Sequence, residues 1–345
     1  MTWFQNLSLT EQFLLASAIK IVCVFGVVMP SVAYSVLAER KISALIQDRL
    51  GPNRVGPGGL WQPLADGIKT FLKEDFVPAH VRKAYFWLAP MVSMTPALLV
   101  LAVIPFGSNL AGQKMVIADL NVGILYTFGI VSLGVYGIVL AGYASNSKYP
   151  FLGGIRSSAQ MISYEIAMGM SVIPVFLIVG DLNLSKVIEY QYHCWLVFKA
   201  PVSFVIFLIA AFAETNRLPF DLPESEQELV GGYHTEYSSM KFALFFMGEY
   251  ANMIAASAMM VTLFLGGWTL PVGSLNRPAE SIWIGVAHMV IFMAKVAVLM
   301  GMFIWVRWMW PRFRYDQLMD LGWRRFLPLA LANILATALW LWMVA

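Results

Sequence analysis

The stretch SIWIGVAHMVIFMAKVAVLMGMFIW, residues 281–305, decides the fold class. Lys295 is its only acidic or basic residue apart from His288. A helix needs about 20 predominantly apolar residues to cross the hydrocarbon core of a bilayer, so this stretch predicts a transmembrane helix. The composition agrees, because 59% of the 345 residues are hydrophobic and only 12% are charged, about half the charged fraction of an ordinary soluble domain.

Seven more stretches have the same length and apolar character. The pattern predicts an all-α membrane protein, a bundle of eight transmembrane helices, in which residues 1–345 form a single integral membrane domain. The predicted spans are Gln12–Ala38, Ala84–Phe106, Asn121–Ser145, Ser158–Gly180, Ala200–Phe220, Phe242–Trp268, Ser281–Trp305 and Phe326–Val344.

The basic residues predict the orientation of this bundle. The connections after spans one, three, five and seven hold 17 of the 23 Lys and Arg residues. By the positive-inside rule these connections face the cytoplasm, so both termini lie on the periplasmic side. The cytoplasmic connections cover about residues 39–83, 146–157, 214–241 and 306–325.

The first cytoplasmic connection contains GPNRVGPGG, residues 51–59, a cluster of turn-forming residues that excludes regular helix. Beyond it, apolar residues recur at helical spacing and polar residues occupy the positions between them. This pattern predicts an amphipathic helix on the cytoplasmic membrane face, and the alternative of an ordinary surface helix stays open. The apolar positions are Leu64, Ile68, Phe71, Leu72 and Phe76.

The third cytoplasmic connection, ETNRLPFDLPESEQELVGGYHTEYSS, is unusually acidic, with six of the chain's 20 carboxylates in residues 214–236. Pro219 and Pro223 exclude a continuous helix there. Such a cluster is either a solvated turn or a set of interacting carboxylates that share protons. The sequence alone leaves both interpretations open.

Four ionisable residues fall in successive spans: Glu165, Glu214, Glu249 and Lys295. A charge at bilayer depth costs about 2.5–3.5 kcal/mol on insertion scales, and such residues face a partner or water. Structural ion pairs, for example Glu249 with Lys295, are one explanation. A buried proton-transfer chain is the other.

Several kinds of redox site are excluded. Cys23 and Cys194 are far apart in sequence and form no metal-binding motif. His288 is the only histidine within a predicted span, so two histidines cannot hold a membrane haem. The chain also has no P-loop. We therefore expect no metal and no cofactor bound by this chain, and any electrons must come from partner proteins.

Long blocks of the sequence resemble one known family. The blocks are ERKISALIQDRLGPNRVGPGGLWQPLADGIKTFLKED (39–75), YASNSKYPFLGGIRSSAQMISYE (143–165), AETNRLPFDLPESEQELVGGYHTEYSSMKFALFFMGEY (213–250), FLGGW (264–268) and WVRWMWPRFRYDQLMDLGW (305–323). They are similar to the quinone-chamber subunit of proton-pumping NADH:quinone oxidoreductase, respiratory complex I. That subunit is called H in bacteria and NADH dehydrogenase subunit 1 in mitochondria. The match runs from about Glu39 to the end of the last span.

The resemblance implies a non-redox subunit of a translocase in the bacterial inner membrane. Such a subunit forms the membrane part of a quinone-binding chamber and the start of a proton path, and quinone is the substrate. The partners it implies are soluble iron–sulfur and quinone-site subunits, small membrane subunits, antiporter-like subunits and lipids, with no nucleic acid. The iron–sulfur clusters and flavin belong to partner subunits.

The same resemblance assigns roles to individual residues. The quinone-chamber residues it implies are Arg40, Asp66, Lys69, Asp221, Glu224, Glu226 and Glu228. The proton-path residues it implies are Glu165, Glu214, Glu249 and Lys295. Some relatives carry a glutamate in span three where this chain has Ser132. Either the hydroxyl takes over a proton-transfer step through water, or that carboxylate is dispensable.

Two other functions remain as alternatives. Homologous membrane anchors occur in energy-converting hydrogenases and formate hydrogenlyase, which use no quinone. The GPNRVGP segment and the acidic connection favour the quinone enzyme. An independent transporter is the second alternative, but the sequence has no internal repeat of the kind many transporters contain.

Overall fold

The computed structural model describes residues 8–110, 113–223, 230–271 and 273–344, and most of them are helical. The helices are α1 (Leu9–Ile46), α2 (Gln62–Leu72), α3 (Lys83–Leu99), α4 (Gly123–Ala144), α5 (Lys148–Val179), α6 (Leu184–Tyr190), α7 (Leu196–Lys199), α8 (Pro201–Glu214), α9 (Ser239–Phe264), α10 (Ile282–Met309), α11 (Tyr315–Asp320) and α12 (Leu327–Val344). A π-helical turn, Leu321–Phe326, joins α11 to α12. Two-residue strands β1 (Asn109–Leu110) and β2 (Gln113–Lys114) pair antiparallel.

The all-α membrane fold is confirmed. In the described part of the chain, seven helical segments are long and apolar enough to cross a membrane. The predicted fifth span, Ala200–Phe220, is represented by α8, which has 14 residues and is therefore only about 21 Å long. It ends because Asn216 adopts a left-handed conformation, φ 52°, just beyond Glu214. The expected count of eight spans is therefore not confirmed.

Most of the expected connection at residues 146–157 is helical, because α5 begins at Lys148. Pro150 lies in the first turn of α5, where a missing N–H is tolerated. Gly153 and Gly154 are helix-packing residues. A Cβ at Gly153 would lie 2.9 Å from the backbone nitrogen of Tyr233, and one at Gly154 would lie 3.4 Å from the carbonyl oxygen of Ile138.

Two other expected connections are shorter than predicted. α1 continues past Glu39 to Ile46 and ends before Asp48, which has a φ of 49°. At the other end of the chain, only residues 310–314 interrupt the helical backbone between α10 and the π-helical turn. In both places part of the charge lies on helices, since Arg40 and Lys41 belong to α1 and Asp316 belongs to α11.

The helices pack around α5 and α9. Helix α3 packs against α4 and α9, and α5 packs against α4, α8 and α12. Large side chains such as Tyr164, Tyr250, Phe264 and Phe303 fill this interior. Helix α12 is peripheral, because Ala330 is the one buried residue among its described positions.

Helix α2 is the predicted amphipathic helix, ending at Leu72. Leu64, Ile68 and Phe71 are 60%, 53% and 72% exposed. On its other side, the Ser239 hydroxyl donates hydrogen bonds to the carbonyl oxygens of Thr70 (3.1 Å) and Lys73 (3.0 Å). The polar side of α2 thus faces the protein and its apolar side is free to contact lipid.

Candidate functional site

Four elements bring charged side chains together at one end of the bundle. Arg217, in the turn after α8, lies 3.0 Å from Glu39 Oε2 of α1 and 2.6 Å from Glu249 Oε1 of α9. The Tyr250 hydroxyl donates to Glu39 Oε2 at 2.6 Å. Arg307 of α10 also pairs with Glu39. We call these five residues the arginine cluster.

Burial makes the arginine cluster sensitive to any change of charge. Arg217 is 5% exposed and Glu39 is 7% exposed. Burial lowers the pKa of Arg217, but Glu249, Tyr250 and Glu39 together raise it above its ordinary value, so this arginine stays charged. The positive charges of two arginines balance the negative charges of two glutamates in this cluster. Removing one partner of a buried ion pair is strongly destabilising.

A cavity of about 300 Å³ lies beside the arginine cluster. Its polar lining includes Glu39 and three arginines, Arg40, Arg49 and Arg307. Its other residues are mainly aromatic or apolar, including Phe246 and Trp308. Arginines donate hydrogen bonds and aromatic faces stack on flat rings, so the cavity suits a planar ring that carries carbonyl oxygens.

His234 also lines this cavity and is held neutral. Burial lowers the pKa of His234 to about 4. The rings of Tyr233 and Phe242 lie 5.0 and 5.2 Å from the imidazole, centroid to centroid. At neutral pH the arginines are therefore the positive groups of this wall.

Glu214, at the end of α8, is buried beside the arginine cluster. It is 7% exposed, and neither of its carboxylate oxygens has a hydrogen-bond partner in the part of the chain described. Glu214, Glu249, Asn216 and Asn252 line a second cavity of about 20 Å³. That volume is enough for one water molecule, which can connect the two carboxylates.

Glu165 belongs to the same group. It is half-buried on α5 and lies close enough to Glu214 for their charges to interact. The structure therefore brings together three of the four predicted path residues, Glu165, Glu214 and Glu249.

Lys295 lies elsewhere. Its Nζ donates to the carbonyl oxygens of Leu265 (2.6 Å), Gly267 (3.0 Å) and Thr269 (2.6 Å) in the turn after α9. This turn is about 22 Å along α9 from the level of Glu249. The ion pair between Glu249 and Lys295 considered from the sequence is wrong, because Glu249 pairs with Arg217.

Among the predicted chamber residues that the structure describes, Arg40 alone lines the 300 Å³ cavity. Arg40 pairs with Asp66 of α2 at 2.7 Å. Lys69 is exposed on α2. Asp221 pairs with Arg312 at 2.8 Å, and burial raises its pKa although Arg312 and Arg307 oppose the shift. The predicted residues Glu224, Glu226 and Glu228 lie outside the described residues.

Sequence reasoning missed the arginine cluster itself. Glu39 and Arg217 were placed among the basic and acidic connections, not in a buried network. A signal was present in α1, where Val28, Val32, Glu39 and Ser43 follow helical spacing and are all buried. Arg217 had no comparable signal, because it lies in a turn without periodicity.

Ser132 contributes nothing to this site in the described structure. Its hydroxyl donates to the carbonyl oxygen of Gly129 at 3.1 Å, within its own helix. Among the residues described, no three His, Cys, Asp or Glu side chains are grouped as metal ligands, so we assign no residue to a metal or a redox cofactor.

Comparison with known proteins identifies relatives along nearly the whole chain. A family model described as NADH dehydrogenase matches residues 19–338. The NADH-quinone oxidoreductase subunit designated H in Rhodospirillum centenum is 54% identical over 313 residues, which is 90% of this chain and 89% of the relative. NADH-quinone oxidoreductase subunit 8 of Rhodothermus marinus is 51% identical over 314 residues, 88% and 91% of the two chains. The NADH-quinone oxidoreductase subunit designated H 1 in Cytophaga hutchinsonii is 47% identical over 332 residues, 94% and 96%.

Proposed function

The chain belongs to the NADH dehydrogenase family, and we propose that it forms the membrane part of a quinone-binding chamber and the start of a proton path in a proton-pumping NADH:quinone oxidoreductase. Its relatives are subunits of a multisubunit oxidoreductase by name, and the chain is a multi-pass membrane protein. The observation that carries the proposal is the arginine cluster, which connects a cavity to buried carboxylates.

In this proposal the 300 Å³ cavity receives the quinone headgroup on its way to the soluble subunits. Arg40 and Arg307 in its wall can donate to the carbonyl oxygens of the ring, while Phe246 and Trp308 contact its faces. Asp66 and Lys69 would lie at the membrane-facing rim. Asp221 and the acidic residues Glu224, Glu226 and Glu228 would complete the wall on the cytoplasmic side. The chain supplies no electrons; iron–sulfur clusters and flavin in partner subunits do.

The proton path would begin at Glu39, which lies on the cavity wall and contacts Arg217 and Tyr250. Arg217 joins Glu39 to Glu249, and the 20 Å³ cavity joins Glu249 to Glu214. Glu165 follows Glu214. In this order the residues form a row of contacts that leads from the cavity into the bundle. In the assembled complex the row would continue toward the antiporter-like subunits.

Electrostatics provides the coupling in this proposal. Reducing the quinone draws protons from the chamber and leaves negative charge near the arginine cluster. A unit charge about 4 Å away is worth roughly 4 kcal/mol at an effective dielectric of 20, which corresponds to about three pKa units. That is sufficient to protonate a neighbouring glutamate and to release Arg217 from it.

The proposal is tested by Glu214→Gln in the assembled complex. Because neither oxygen of Glu214 has a hydrogen-bond partner in the described residues, an amide should fit there without loss of contacts. We expect assembly to be normal and proton pumping in inverted membrane vesicles to fall by roughly a hundredfold, as expected when a proton carrier is removed.

Asp181→Asn is the matched control, since Asp181 is a carboxylate of the connection on the opposite side and pairs only with Lys186 in the described structure. Its pumping should equal that of the wild type. Full pumping by an assembled Glu214→Gln complex would refute the proton path. If the wild-type complex shows no quinone reduction that a quinone-site inhibitor blocks, a hydrogenase-type anchor is favoured instead.

A further inference from the structure

Gln160 of α5 is fully buried and holds one end of the candidate site. Its side-chain nitrogen donates to the carbonyl oxygen of Ala213 at 2.8 Å and to that of Phe220 at 2.7 Å. It also lies 3.2 Å from Asn216 Oδ1. A single amide thus contacts both ends of the turn that follows α8.

The turn between these two carbonyl groups carries the charged residues of the site. Glu214 and Arg217 lie within it, and Asp221 follows immediately. The backbone of this turn makes short-range contacts such as the Phe220 N–H to the Arg217 carbonyl oxygen, 2.8 Å, and one distant contact, the Phe313 N–H to the Pro219 carbonyl oxygen, 3.1 Å. Side chains from other elements also hold its shape, and Gln160 contacts both of its ends.

The same part of α5 is tied to the last cytoplasmic connection. One helical turn beyond Gln160, the Tyr164 hydroxyl donates to the carbonyl oxygen of Leu318 at 3.0 Å. The Tyr164 ring also packs against Phe220, 5.6 Å between centroids. Glu165 is the next residue, so one turn of α5 carries both these anchors and a proposed path carboxylate.

We propose that Gln160 is a positioning residue, whose amide holds the turn bearing Glu214 and Arg217 against the helix bearing Glu165 and so sets the distances for proton transfer. This inference rests on the proposed function. A glutamine suits the task because its NH₂ group donates to carbonyl oxygens without a charge. A leucine of similar size leaves those buried carbonyl oxygens without their donor.

The chain contains a matched control, Gln191, between α6 and α7. It is 1% exposed and donates to the carbonyl oxygen of Thr262 at 2.9 Å. It also accepts from the backbone nitrogens of Leu196 and Gly266. Gln191 therefore fixes a turn by the same chemistry as Gln160, but at the opposite end of α9 from the carboxylates.

The experiment compares Gln160→Leu, Gln160→Glu and Gln191→Leu in the assembled complex in inverted membrane vesicles. Proton pumping is normalised to the amount of complex. We expect Gln160→Leu to pump about tenfold less than Gln191→Leu, roughly the effect of one lost hydrogen bond. Gln160→Glu should recover activity relative to the wild type as the pH is lowered, because a protonated carboxyl donates a hydrogen bond and an ionised one does not.

Equal pumping by Gln160→Leu and Gln191→Leu would overturn the proposal, as would a Gln160→Glu complex whose activity relative to the wild type does not change with pH. Failure of both Gln160 variants to assemble, while Gln191→Leu assembles, would make Gln160 a folding residue only. If Glu214→Gln pumps normally, the proposed path itself fails. If Glu214→Gln is inactive and Gln160→Leu matches Gln191→Leu, only the positioning role fails.

Discussion

The two ends of the bundle each hold a cation away from bulk water, but the contacts of the two cations differ. Arg217, at the end with the arginine cluster, is buried and contacts the carboxylates of Glu39 and Glu249. Lys295, at the opposite end of α9, is half-buried, contacts three backbone carbonyl oxygens and lies 4.6 Å from the centre of the Trp195 ring. Of these two cations, only Arg217 contacts carboxylates that can gain or lose a proton in the described structure.

This difference gives the two cations different surroundings for proton transfer. A carboxylate beside Arg217 responds when charge appears nearby, because its protonation changes. A carbonyl oxygen beside Lys295 cannot respond in that way. We therefore expect the surroundings of Arg217 to contribute more to proton transfer than those of Lys295.

The largest effect is expected at the end with the arginine cluster. Arg217→Met leaves Glu39 and Glu249 without their common partner and should lower stability by about 3–5 kcal/mol. Thermal unfolding of the purified complex measures this. The Arg217→Lys variant keeps the positive charge and should therefore lose much less stability. A methionine variant as stable as the wild type would mean that the two glutamates do not depend on Arg217.

A smaller effect is expected at the end of the bundle that holds Lys295. Lys295→Met removes the donor from three carbonyl oxygens and should cost about 2–3 kcal/mol, while proton pumping per complex stays at the wild-type level. Lys20→Met is the control, since Lys20 donates to one carbonyl oxygen, that of Val116, at 3.0 Å. If assembled Lys295→Met complexes stop pumping, the distinction between the two ends is wrong.

The free energy of unfolding at acid pH should depend on His234, which lines the cavity beside the arginine cluster. The pKa of His234 is lowered from 6.5 to about 4 by burial, so between these values the unfolded chain binds a proton that the folded chain does not. Stability is therefore full above pH 6.5 and falls as the pH decreases toward 4. At pH 5 the loss is up to about 2 kcal/mol.

His234→Phe should remove this part of the pH dependence. Melting temperatures measured at pH 7 and pH 5 test it, because the variant should lose less stability than the wild type between the two. An identical decrease in both proteins would show that His234 is not the responsible group.

The smallest effect is expected for the pair of Arg40 and Asp66, which are partly exposed. Asp66→Asn should change stability by less than about 1 kcal/mol, as is usual for ion pairs near solvent. The apparent KM for quinone should nevertheless increase if Asp66 borders the chamber. A loss of stability comparable to that of Arg217→Met would mean that this pair is more buried than the structure has it.

Much of the fold was predictable because a membrane helix is a local property of the sequence. Residues 281–305 are apolar over more than the required length, and α10 is found there. The spacing of Leu64, Ile68 and Phe71 likewise predicted α2. The start of α5 at Lys148 was harder to predict, because Gly153 and Gly154, which often mark turns, pack against neighbouring backbone in a helix.

The sequence by itself determined most of the long apolar helices, and it showed that Glu165, Glu214, Glu249 and Lys295 are ionisable residues in predominantly apolar segments. Only the tertiary structure decided their partners. Arg217 and Glu39 are 178 positions apart, and Gln160 reaches a turn more than 50 positions away. The physical reason is that hydrophobic burial depends on the composition of a segment, whereas an ion pair depends on which side chains the packing of distant helices brings within about 4 Å.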